Sequence, residues 1–173
     1  MKKIFILLTV MLLCSNFSFS KDLFSENQVK EVFKGLKSYS QKTPYSKAIL
    51  DMGLGKTQED KIQKGYALRQ FKTYEKITAL VVVEKKDEGF VIIKAGFLDL
   101  NKIKDDKKKE IILNAAKSFK GKLIKENKKT FSKIDAVSGA TRYHMRIYAT
   151  LNLLAKKIIE EMEKNPDWKY KNL

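Results

Sequence analysis

Apolar residues recur at two different spacings along this chain, and the change from one to the other marks its parts. Val29, Val32, Phe33 and Leu36 fall at helical spacing behind Ser25-Glu26-Asn27-Gln28, which has the form of a capping box. A helix of about three turns is predicted there, broken between Ser38 and Pro44. From Tyr66 to Leu100 the pattern turns to strands. Tyr66 to Tyr74 alternates loosely, and Ile77 to Glu84 is rich in β-branched residues. Phe90 to Lys94 repeats that character after a polar Lys85-Lys86-Asp87-Glu88-Gly89 turn. Connections this short predict an antiparallel hairpin or meander.

Helical spacing returns near Asp105, with Ile111, Ile112, Ala115 and Phe119 on one face and Gly121 as the stop. Lys122 to Ile134 forms a short lead-in to a final helix from about Thr141 to Lys164. Ile147, Leu151, Leu154, Ala155, Ile158 and Met162 fall on one stripe of that helix, which should pack on the sheet, and Pro166 ends it. Trp168 and Tyr170 in the tail read as aromatic anchors for the terminus. The order helix, strands, helix, helix predicts an α+β domain whose antiparallel sheet is packed with helices. Between Tyr45 and Gly65 neither spacing is legible. Gly53-Leu54-Gly55-Lys56-Thr57 looks like the tail of a phosphate-binding loop, but Leu50 stands where the earlier glycine is required, so a turn is expected instead.

The first twenty residues read as a secretory signal peptide: Lys2 and Lys3, an apolar run from Ile4 to Leu13, and small residues at Ser18 and Ser20. Cleavage after Ser20 would leave one domain over residues 21–173, on the outer side of the membrane and in the periplasm. Leu13 is bulky where a lipid-attachment motif normally has a small residue, which argues against an anchor at Cys14. Cys14 is the only cysteine and His144 the only histidine. The mature chain therefore holds no disulfide, no thiol nucleophile, no iron–sulfur ligand set and no multi-histidine metal centre. If this is a redox protein, an organic cofactor must carry the electrons.

A formal net charge of +16, reduced by two when Lys2 and Lys3 leave with the signal, favours any polyanion. Export argues against nucleic acid as the partner, and the dispersal of the lysines is that of a solvated surface.

Readable chemistry concentrates in Asp135-Ala136-Val137-Ser138-Gly139-Ala140-Thr141, a D-x-x-S-G-A-T string opening the final helix. A threonine hydroxyl at a helix mouth, reached through a Gly-Ala turn too small to block a ligand, is well placed to meet a phosphate. Four small residues before a helix are equally what an ordinary cap would use.

The string resembles the covalent flavinylation motif of the FMN-binding domain family, found in flavin subunits of the Rnf and sodium-pumping NADH:quinone reductase complexes. It matches at every specified place, although the family often continues with Thr or Ser two residues on, where this chain has Tyr143. Residues from about Tyr66 to Lys164 would correspond to the family domain, with the N-terminal helix as an extension.

The resemblance implies that a flavin transferase moves FMN from FAD onto Thr141 as a phosphoester. Ser138, Gly139 and Ala140 would shape the attachment site, and Asp135 would serve recognition by the transferase; from its sequence context alone Asp135 could instead cap a turn. Arg142 and Arg146 lie four apart and His144 three from Thr141, so each could face the phosphate or ring, or simply solubilise the helix. No catalytic set and no metal site is legible. The expected role is an extracytoplasmic electron carrier rather than a self-contained enzyme, exchanging electrons with another redox protein or a membrane complex. A non-redox exported module for an anionic ligand or partner is the alternative.

Overall fold

The computed structural model describes residues 24–43, 49–124 and 142–173, and for Arg142 and Tyr143 the backbone alone. The signal-peptide reading of residues 1–20 and the motif Asp135 to Thr141 therefore lie outside the described residues. Helix α1 spans Glu26–Phe33, and its start is closed by the expected capping box: the Ser25 hydroxyl accepts from the Gln28 amide while the Gln28 side chain accepts from the Ser25 N–H.

Five strands follow: β1 Ser38–Lys42, β2 Asp51–Lys56, β3 Ile62–Lys72, β4 Lys76–Lys86 and β5 Gly89–Phe97. A 3-10 turn at Leu100–Lys102 leads to α2, Asp106–Phe119. The short strand β6, Leu123–Ile124, precedes α3, Arg142–Lys164, and β7, Lys171–Asn172, ends the chain.

Among the described residues the strands form one antiparallel seven-stranded sheet in the order β6-β5-β4-β3-β2-β1-β7, and with three helices the domain is α+β. The sheet is larger than the sequence pattern predicts. Residues 38–42 form β1 where a break is expected, and Gly53-Leu54-Gly55-Lys56 lies in β2 rather than in a turn.

The glycines explain the discrepancy, because strand formation here depends on what lies over the backbone. A Cβ at Gly53 would run into the Tyr66 ring and come within 2.9 Å of the Ser40 carbonyl oxygen; one at Gly55 would meet the Phe33 ring at 2.5 Å and the Leu36 side chain at 2.6 Å. Both positions are small so that large neighbours can close over them. Ser38 and Ser40, buried in β1, likewise lack the bulk that makes a strand recognisable.

Side chains on this sheet alternate between two cores. On one face Ala67, Ala79, Val81, Val83 and Ile92 pack against Ile112, Ala115 and Phe119 of α2 and against the apolar stripe of α3. On the other, Tyr66, Leu68, Leu80 and Val82 meet Phe24 and the Val29 and Phe33 side chains of α1. Ile147, Leu151, Leu154, Ala155 and Ile158 are completely buried. At about 1.5–3 kcal/mol for each large aliphatic side chain removed from water, this stripe fixes α3 firmly to the sheet.

Gly65 lets the helix come closer still, since a Cβ there would stand 2.5 Å from Ile158 Cγ2. The tail is anchored as expected: Trp168 is buried under Lys42, and Tyr170 lies under the Lys56 ammonium at 4.2 Å from the ring centre. Burial pushes the Tyr170 phenol up to about 12, so it stays neutral there. Among the described residues no helix is long and apolar enough to cross a membrane.

Candidate functional site

Helix α3 begins at Arg142, the residue that follows the D-x-x-S-G-A-T string. Among its described side chains, which begin at His144, the first that is fully buried is Ile147. The opening turn contains Arg142, Tyr143 and His144. Within it His144 is half-buried and has a contact of its own. Met145 is 62 % exposed and Arg146 is exposed. Arg142 and His144 thus share the turn next to position 141, whereas Arg146 stands beyond it. Asp135, Ser138, Gly139, Ala140 and Thr141 lie outside the described residues.

Charge distinguishes this helix start from the other two. The first amide groups of any helix lack partners within it and carry the positive end of its dipole. Helix α1 has Glu26 in its first turn as well as its Ser25 cap, and α2 has Asp106 as well as its Asp105 cap. The first turn of α3 contains no acidic residue. An anion placed there would meet the dipole and no carboxylate of the same turn. The donor chemistry of this turn therefore suits a phosphate group.

Two features of the molecule give little signal in the sequence. Asp51 is completely buried at the start of β2, where it accepts hydrogen bonds from Gln41 Nε2 at 2.8 Å, Thr43 Oγ1 at 3.1 Å and the Tyr66 hydroxyl at 3.1 Å. These donors are neutral and come from two places in the chain, Gln41 and Thr43 at the end of β1 and Tyr66 in β3, so the cluster ties β1, β2 and β3 together. The second is a groove of about 630 Å³ beside α1, on the sheet face away from α2 and α3. A polar residue in the illegible stretch is the only sequence hint of Asp51, and nothing in the pattern announces the groove.

No family model, no curated protein and no solved structure matches this chain. The likeness to flavin-carrying domains therefore stands on the motif and on what surrounds it.

Proposed function

We propose that this chain is an exported flavoprotein carrying FMN in phosphoester linkage on Thr141, and that it serves as an electron carrier outside the cytoplasm. The observation that carries this reading is the junction itself: a complete D-x-x-S-G-A-T string ends at the residue before the first residue of α3. Support comes from the acid-free opening turn and from the burial of the α3 stripe, which gives an attached group a fixed base.

In maturation the Thr141 Oγ forms a bond to the FMN phosphorus of FAD. The pyrophosphate bond breaks, AMP leaves, and the hydroxyl proton passes to solvent. Asp135 orients that hydroxyl or is read by the transferase. The product phosphate keeps one negative charge, which the amides at the start of α3 offset, with Arg142 and His144 as the nearest candidates to assist. When bound, the flavin supplies reversible electron transfer. The chain's own contribution is to hold it against loss where no free flavin is supplied.

Electron donor and acceptor would be another exported redox protein or a membrane complex. The test is direct: protein exported from a host with a flavin transferase is denatured in guanidinium and passed through a desalting column. Yellow colour that travels with the chain supports the reading, and colour left behind, or none, contradicts it. In the latter case the alternative of a non-redox binding module for an anionic ligand, favoured by the groove beside α1, takes its place.

A further inference from the structure

The groove lies beside α1 on the sheet face that this helix packs against. At its bottom lie Leu80 and Val82 of β4, each only 2 % exposed, with Ile93 and Gly96 of β5 beside them and Phe24 and Val32 on the α1 side. A register shift between Val82 and Val83 places one extra residue in β5, and Ile93 packs with the core of this face as a result. A Cβ built on Gly96 would meet nothing within 4 Å, so the floor is open there.

Two lysines border this floor. Lys64 pairs in register with Glu84 and Lys94 with Val82, and these four share a face, since Val82 and Glu84 are two apart on β4. The strands carrying the lysines flank β4, about 10 Å from one another, and long stems let both ammonium groups reach one point above it. Glu84, the acid nearest in register to Lys64, is bonded to Lys86 at 2.6 Å. Neither Lys64 nor Lys94 has an ion-pair partner among the described residues. Glu31 on the α1 wall provides a negative edge, so an anionic head belongs on the lysine side.

We propose that this groove binds a small monoanionic amphiphile, an alkyl carboxylate. Its chain lies between Val32 and Ile93, above Leu80 and Val82, and its head is held by Lys64 and Lys94. The volume is in the range of small-molecule sites, which combine an apolar lining with a few placed polar groups. The site is on the face opposite α3 and does not depend on flavin at Thr141.

Calorimetric titration of the protein purified from an exporting host tests this, with decanoate, dodecanoate and tetradecanoate kept below their micelle concentrations. One site is expected, tightening about fourfold for each CH₂ that finds the floor. Dodecanol should bind more weakly than dodecanoate. Lys64→Ala and Lys94→Ala should each weaken dodecanoate on the order of threefold, as for a partly exposed ion pair. Gly96→Ile places a side chain in open space and should abolish binding while thermal unfolding stays unchanged. If Gly96→Ile remains folded and binds dodecanoate as before, or dodecanol binds as tightly as the carboxylate, the proposal is wrong. It is also overturned if anionic phosphatidylglycerol vesicles retain the protein and dodecanoate neither binds nor competes, since the lysines would then be reading a membrane surface.

Discussion

Helices α2 and α3 lie on the same face of the sheet, yet their starts are built oppositely. At α2 the chain supplies its own anion: Asp105 accepts from the Lys108 amide at 3.2 Å, and Asp106 adds a second carboxylate in the first turn. At α3 the first turn has no acid, and the residue before it is the last of a string made of small side chains. The difference teaches that a helix end closed by its own sequence has no use for an outside anion. A first turn without a carboxylate does not itself repel a phosphate brought to it. The two packed faces do not differ in this way, because both helices bury an apolar stripe against the sheet.

The largest expected effect concerns what the starts share. Leu151→Ala removes a completely buried side chain from α3 and should cost about 2–5 kcal/mol in chemical denaturation, with or without flavin. An equal loss of flavin loading at temperatures where the variant is fully folded would show that the seat itself, rather than the helix start, controls attachment. Next is Asp135→Ala, expected to lower flavin loading severalfold while circular dichroism stays unchanged; full loading at the wild-type rate removes Asp135 from the site.

A smaller effect should come from making the start of α3 resemble that of α2. Met145 is 62 % exposed, so Met145→Glu adds a carboxylate near the first turn without disturbing the core. It should stabilise the unmodified protein by about 0.3–1 kcal/mol through the dipole and destabilise the flavinylated form relative to it. A change of the same sign in both forms would contradict an anion at this end.

The smallest effect is a pH response at the start of α2 that the start of α3 should not share. Hydrogen bonds from the Lys108 backbone and side chain lower the Asp105 carboxyl from its ordinary 3.8. A depressed folded value means that the cap contributes above 3.8 and is lost as pH falls through the lower folded value. Amide-exchange protection at Lys108 should fall in that window, while the first turn of α3, lacking a carboxylate, responds less. Equal responses at both ends would remove the distinction between them.

The three helices among the described residues are legible in the sequence because each announces itself by an apolar stripe, and α1 also by its capping box at Ser25. Strands β3, β4 and β5 are visible through their alternation and their β-branched residues. β1 and β2 are not, since Gly53 and Gly55 are small to make room for Tyr66, Phe33 and Leu36, Ser38 and Ser40 are buried without the bulk that marks a strand, and local propensity carries no record of a distant neighbour. The two-residue strands β6 and β7 exist through their partners alone. Of the candidate site, Arg142 and His144 stand in the opening turn of α3 where the helical pattern places them; the rest of the string is read from residue types alone. Asp51 and the groove arise from residues brought together across several strands, which spacing along the chain cannot reveal.

Intact mass, measured on protein exported from hosts with and without a flavin transferase, tests the central claim most directly. An increase equal to FMN less one water is expected in the first host only, mapping to the peptide that bears Thr141 and absent from Thr141→Ala, while Thr150→Ala keeps it. An unchanged mass in the presence of an active transferase, or a modified peptide that excludes Thr141, would contradict it.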